Sequence, residues 1–295
     1  MSRMTLAFIT VGTLAFGEMG LAFAADLPAR PLPPAAAPVI APMPVSWTGF
    51  YVGANAGYGW GDPSVNYTPN DVNAYLSTCG NQRGDGTCVP SASFNMSGAV
   101  VGGQIGYNWQ FNPNWLVGLE TDLDWSGITG QSGGSNFILN SWGPGAFVSS
   151  EKVEWFGTLR ARLGFVPISP LLIYATGGMA YGHVQANASM PVPSISGAGI
   201  NFNGGYSYVC GYFLTQCFSG SNSQTSVGWT VGAGGEYMIT DHLTLRAEYL
   251  YVDLGRVSVN SVATATYGGN GPSSFNANLG NASFSVVRGG ANWKF

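Results

Sequence analysis

The chain closes on an alternation that few folds can use. Reading back from the carboxyl terminus, Phe295, Trp293, Ala291, Gly289 and Val287 are apolar or small, and Lys294, Asn292, Gly290 and Arg288 between them are polar or glycine. A strand sends successive side chains to opposite faces. One face of this segment therefore suits lipid and the other a polar interior. A strand ending in Trp-Lys-Phe at a free carboxyl terminus is odd in a soluble protein. It is expected of the closing strand of a transmembrane β-barrel, which ends in the aromatic girdle at the membrane interface.

The start of the chain agrees. Arg3, an apolar stretch from Leu6 to Phe16 and Ala22-Phe23-Ala24 have the layout of an export signal over residues 1–24, with Ala25 the expected mature start. The apolar run is too short to span a bilayer as a helix, and Glu18 interrupts it. Residues 25–46 are rich in Pro and Ala, from Pro28 to Pro44. Proline removes backbone donors and fixes φ, so this segment reads as an extended periplasmic linker. The expected barrel domain is 47–295.

Only 8% of the chain is charged. Few charges, no helical span and an export signal fit a lipid-facing barrel, where half of each strand must avoid charge. The net charge of −4 gives no basic patch, so no nucleic-acid partner is expected.

Eight segments carry the period of two, at about 49–61, 96–111, 115–127, 152–166, 171–187, 225–239, 243–257 and 283–295. Asn112-Pro113-Asn114, Pro167 to Pro170 and Thr240-Asp241-His242 read as tight turns. The gaps 62–95, 128–151, 188–224 and 258–282 read as long loops rich in Gly, Ser and Asn. Short and long connections alternate, as in an all-β, eight-stranded antiparallel transmembrane barrel with short periplasmic turns, four long external loops and both termini in the periplasm. The expected location is the Gram-negative outer membrane.

Parity assigns the two faces. Outward slots include Val101, Ile105, Trp109, Leu119, Leu123, Val153, Trp155, Leu159, Leu163, Val227, Trp229, Leu245 and Tyr249. Eight of the nine Trp residues fall near strand ends, with Trp142 the exception, which matches interfacial belts. Inward slots collect Glu120, Asp122, Asp124, Lys152, Glu154, Arg160, Arg162, Glu236, Arg246, Glu248, Arg288 and Lys294, six acids and six bases. A balanced set in so narrow a lumen points to an internal salt-bridge network. One bulge would flip the parity beyond it.

Several stretches have a family likeness. They are Asp26-Leu27-Pro28, Trp47-Thr48-Gly49-Phe50-Tyr51-Val52-Gly53 running on to Trp60, Gly102-Gly103-Gln104-Ile105-Gly106-Tyr107-Asn108, Gly157-Thr158-Leu159-Arg160-Ala161-Arg162-Leu163-Gly164, Tyr174-Ala175-Thr176-Gly177-Gly178 and Ala247-Glu248-Tyr249-Leu250-Tyr251-Val252-Asp253-Leu254-Gly255. Together they resemble the small outer-membrane β-barrel surface antigens of alphaproteobacteria, the Brucella 25- and 31-kilodalton type and its rhizobial relatives. The resemblance covers nearly the whole mature barrel and implies a porin-like or surface-antigen protein. It carries over no catalytic residues. Some relatives bind haem, but no motif for it maps here, so no cofactor is expected. The likeness also implies that Phe295 belongs to the assembly signal read by the barrel-insertion machinery.

The cysteines fall into two loop pairs, Cys79/Cys88 and Cys210/Cys217. Export permits disulfides, and local pairing suits small loop staples, although three connectivities are possible. No His lies in either loop, so the spacings fit zinc poorly. His242 reads as a turn residue. His183, with Ser189 nearby in sequence, is the one candidate for catalysis at the outer leaflet, but no motif supplies a carboxylate, so an interfacial polar role is expected. The Gly runs lack a phosphate-loop pattern. The leading function is structural and surface-interacting, with outer-membrane lipid as partner and no external partner specified. A narrow porin is second and a lipid-modifying enzyme third.

Overall fold

The computed structural model describes residues 46–71, 91–132, 135–139, 143–191, 216–263 and 274–295. The strands are β1 (Gly49–Gly61), β2 (Ser64–Pro69), β3 (Ser91–Ser93), β4 (Met96–Asn112), β5 (Trp115–Ser126), β6 (Thr129–Gln131), β7 (Ser135–Leu139), β8 (Gly143–Ile168), β9 (Leu171–Pro191), β10 (Gln216–Met238), β11 (Leu243–Ala263) and β12 (Ser274–Lys294). Eight of them pair in the order β1-β4-β5-β8-β9-β10-β11-β12. β12 then returns to β1, from Tyr51↔Lys294 to Trp60↔Ser285, and the antiparallel ring closes. Closure leaves no open edge within the ring.

Local chemistry sets the short turns. Asn112 Oδ1 accepts from the backbone N–H of Asn114 (2.9 Å) and of Trp115 (2.8 Å). Thr240 Oγ1 accepts from Leu243 N (3.0 Å). These side chains imitate a backbone turn and so fix the hairpin register. At the same end Phe295 N donates to Phe50 O (2.9 Å), which ties the last residue to the first strand.

The strands outrun the expected segments. A membrane crossing needs about 9–11 residues of strand, yet β8 has 26 and β10 has 23. The gaps read as long loops are partly wall. β2 carries on the place of β1 against β12 (Asn66↔Asn278 to Pro69↔Phe275), and β6 carries on the place of β5 between β4 and β8. The expected Pro-rich linker and export signal lie outside the described residues, apart from Ser46.

β9 shows how one strand serves two environments. Its lower outward residues are Ile173, Ala175, Met179 and Tyr181, and its upper ones are His183, Gln185, Asn187 and Ser189. Inward it runs from Leu172, Tyr174 and Thr176 to Ala180, Val184, Ala186, Ala188 and Met190. Apolar-out gives way to polar-out, apolar-in, with no change of parity. The lower exterior is therefore the lipid belt, with Phe50, Val101, Ile105, Leu119, Leu123, Leu159, Leu163, Val231 and Leu245 exposed around it. Aromatic pairs edge the belt on the long-loop side, Trp155–Tyr181 and Trp229–Tyr251 among them.

Irregularities gather just above the belt. β8 shifts register against β9 between Val153 and Trp155, and β11 shifts against β12 between Asp253 and Arg256, where Gly255 has φ +80°. Gly280 of β12, at φ +71°, marks a third. Each admits an extra residue and reverses the faces beyond it. The β8 bulge corrects three expected placements. Val153 is buried inside, not lipid-facing. Lys152 and Glu154 are on the exterior, paired with each other at 3.2 Å, and not in the lumen.

Candidate functional site

The lumen below the bulges is the candidate site. On β5, Glu120, Asp122 and Asp124 follow at two-residue steps and share the inner face. Arg160 of β8 lies directly opposite Glu120, and Arg288 of β12 directly opposite Glu248 of β11. Arg162, Glu236 and Arg246 come from β8, β10 and β11. Four arginines thus meet five carboxylates.

Arg160 is held from three sides. Its Nη2 meets Glu120 Oε1 (2.5 Å) and Asp122 Oδ2 (2.8 Å), and its Nη1 meets Glu248 Oε1 (2.8 Å). Thr158 Oγ1 accepts from Arg160 Nε (2.9 Å) and donates to Asp122 Oδ1 (2.8 Å). Arg246 bridges Glu120 Oε2 and Glu248 Oε2, both at 2.6 Å. Arg288 bridges Asp122 (2.5 Å), Asp124 (2.6 Å) and Glu248 (2.8 Å). Toward the short-turn end Arg162 pairs with Glu236 (2.5 Å) and stacks on Tyr174, with Cζ 3.6 Å from the ring centroid. Tyr51 donates to Glu120 Oε2 (2.6 Å), Asn292 donates to Glu236 Oε1 (2.7 Å), and Gln104 donates to Asn292 Oδ1 (2.8 Å). Planar guanidinium forks suit this sharing, because each can serve two carboxylates at once.

None of the nine charged groups is more than 5% exposed. A water-sized sphere scarcely touches them. Two inner glycines of β4 make the packing possible. A Cβ on Gly106 would lie 2.3 Å from Tyr51 Oη, and one on Gly102 would lie 2.1 Å from Asp124 Oδ1. Lys294 is on the inner parity but does not join the network. At the mouth of the barrel its Nζ donates instead to Ser46 O, a correction to its expected place.

The network is sandwiched between apolar layers that the sequence reading missed. At the short-turn end Trp47, Leu116, Val166, Leu172, Tyr174 and Met238 form a cap. Toward the long loops a larger cluster fills the tube, with Val100, Ile128, Val153, Phe156, Leu250, Val252, Phe284 and Val286 in its lower part and Tyr67, Phe147, Phe218 and Phe275 in its upper part. The signal was present in segments such as Val184-Gln185-Ala186-Asn187-Ala188-Ser189-Met190, whose alternation has the polarity of a water-exposed sheet.

Other candidates also find places. His183 is on the outer surface just above the belt, stacked on Trp155 at 11°. Its Nε2 is 2.9 Å from Ser223 Oγ and 4.0 Å from Glu154 Oε2, and its Nδ1 is 3.3 Å from Thr225 Oγ1. Ser189 is not brought to it and instead sits across from Ser219 and Val148. A hydrolytic triad needs the carboxylate on the ring nitrogen away from the serine. Here Glu154 approaches the same nitrogen as Ser223. Cys79, Cys88, Cys210 and Trp142 lie outside the described residues, and Cys217 falls in β10 rather than in the expected loop, so both expected cysteine pairings extend beyond the described residues.

Comparison with known proteins adds the lineage. A family model described as "Outer membrane protein beta-barrel domain" matches residues 31–295. The chain is 34% identical over 277 residues to the 31 kDa outer-membrane immunogenic protein of Brucella melitensis biotype 1, covering 93% of both. It is 28% identical over 261 residues to the 25 kDa outer-membrane immunogenic protein of Brucella abortus biovar 1, covering 88% of this chain and 89% of that one. Among solved structures it is similar to the outer membrane protein OprG from Pseudomonas aeruginosa, at 13% identity and TM-score 0.42, covering 84% of this chain and 97% of that one.

Proposed function

The chain belongs to the outer membrane protein β-barrel family, and on that premise we propose that it is a structural and surface-display protein whose lumen is sealed. It resides in the Gram-negative outer membrane, and the orientation we take puts the short turns on the periplasmic side, as is usual for barrels of this kind. One observation carries the reading: arginines and carboxylates from five strands lock together in the lumen, at most 5% exposed.

The energetics support a stiff pillar over a conduit. Each buried charge has lost most of its hydration, and only fixed partners make up for that. Moving Arg160 or Arg288 to let a solute pass takes a partner from three carboxylates at once. The apolar clusters above and below the network add a further barrier to ions. The wall extends well beyond the lipid belt on the side away from the short turns, as display requires. Relatives named as immunogenic outer-membrane proteins fit a surface role of this kind.

A deletion strain tests the proposal. Loss of a structural barrel should raise sensitivity to detergent and shed outer-membrane material, with uptake of small solutes unchanged. The wild-type gene should restore resistance. Slower uptake of small solutes with an intact barrier would favour the narrow-porin reading instead.

A further inference from the structure

The β8 bulge places a carboxylic acid where none is expected. Glu151 is 1% exposed, and among the described residues neither of its carboxyl oxygens has a hydrogen-bond partner. Its neighbours on the inner face of β8 are Ser149 and Val153, both fully buried. Across the ladders it faces Ala186 of β9 and Gly130 of β6. Just outside, Lys152 and Glu154 form an exposed ion pair, which puts this level beyond the hydrocarbon.

An ionised carboxylate is not tolerated in such a place without partners, so burial favours the neutral acid. Among the described residues nothing charged offsets this. On β8, Lys152 and Glu154 point outward. On β9, His183 points outward, with Val184, Ala186 and Ala188 facing in. β6 brings only Thr129, Gly130 and Gln131. From β2, Tyr67 faces into this tier, but its hydroxyl is bound to Ser149 Oγ (2.8 Å), and burial raises its phenol further above 10, so it stays neutral. Desolvation alone pushes the Glu151 carboxyl up to about 7.

The wall beside Glu151 is also built from a short strand. β6 has three residues, held by Met96↔Gly130 and Ser97↔Thr129 on one side and by Thr129↔Lys152, Gly130↔Glu151 and Gln131↔Ser150 on the other. So short a strand, next to a bulge, opens at lower cost than the long strands around it.

We propose that Glu151 is a proton-operated latch on the outer tier of the barrel. With its proton in place it packs as a neutral acid and the tier is closed. When the proton passes to bulk water, the carboxylate draws water inward, and β6 loosens from β8. The device lies above the charged network, so it acts whether or not the lumen below conducts.

The sign follows from the raised value. Once open, the group returns to its ordinary 4.5. Closed-state stability is then full below 4.5, falls about tenfold in equilibrium constant per pH unit up to about 7, and levels off above it. Between about pH 5.5 and about pH 8.5 the opening constant should rise about 30-fold.

Hydrogen exchange on the full chain refolded in detergent reads this directly, after division by the intrinsic rate at each pH. Peptides covering 128–132 and 147–153 should gain about 30-fold in opening, and those covering 171–178 should not change. Glu151→Gln should make the opening independent of pH, and so should Glu151→Met if the amide variant folds poorly. Infrared spectra of the wild type supply a measurement without any variant: a buried carboxylic-acid carbonyl band that fades as pH rises through about 7. A wild type with no pH dependence in these peptides, or a dependence that survives both substitutions, overturns the latch.

Discussion

Arg160→Ala should lower the unfolding free energy of the barrel by about 3–5 kcal/mol, with lumen water reducing the figure if it enters the gap. Arg160 is fully buried and serves Glu120, Asp122 and Glu248 together. Its removal leaves three carboxylates short of a partner in a tube with little water. Arg160→Lys should recover only part of the loss, because one ammonium cannot reproduce the planar fork. Urea unfolding in lipid vesicles, followed by Trp fluorescence, gives the number. The control is Lys152→Ala, which breaks an exposed pair and should cost less than about 1 kcal/mol. Equal effects of the two substitutions would refute the network as a source of stability.

Phe284→Ala should cost about 3–5 kcal/mol for a different reason. Phe284 is 1% exposed and packs edge-on against Phe156 with ring centroids 5.2 Å apart, in the tier just outward of the charges. Truncation leaves a cavity that the β-wall cannot collapse to fill, because ladder bonds fix its circumference. The same unfolding experiment checks it, and a loss under about 1 kcal/mol would mean that the outer tier is loosely packed. The Arg and Glu layer stays intact beneath, so this variant alone should not conduct. Arg160→Ala with Phe284→Ala breaches the network and the outer layer, leaves only the Trp47 cap, and should raise the current above the wild type's.

The membrane-crossing part of the barrel was legible because lipid enforces a simple rule. Trp115, Val117, Leu119, Leu123 and Trp125 alternate with Glu120, Asp122 and Asp124, and the expected strand 115–127 agrees with Trp115–Ser126 to one residue. Strand β1 begins and ends as expected, at Gly49 and Gly61. Above the belt water replaces lipid, so the polar residues turn outward and the apolar ones inward. Ser219, Ser221 and Ser223 on β10 then look like loop composition, although their backbone is paired to β9. This is why β8, β9, β10, β11 and β12 all extend beyond their expected ends.

The candidate site divides along the same line. Residues below the bulges, such as Arg160, Arg246 and Glu248, could be placed by counting twos from the short-turn end of a strand. Lys152 and Glu154 could not, because the bulge between Val153 and Trp155 comes from packing and leaves no residue signature. By contrast the bulges at Gly255 and Gly280 do, since both positions adopt positive φ, which glycine alone tolerates freely. Tyr51 was missed as a network member because its hydroxyl reaches Glu120 two strands away, a contact that parity cannot reveal. Phe156 and Phe284 occupy inward slots of the expected strands 152–166 and 283–295, and they were missed because the inward face of a barrel is expected to be polar.

Single-channel recording of the refolded wild-type protein in planar bilayers tests the sealed lumen most directly. A lumen closed by Arg160, Arg246, Arg288 and their carboxylates between two apolar layers should give no steady current above the lipid background across the usual range of applied voltage. Large, stable, uniform conductance steps from the wild type would contradict it and make the protein a porin.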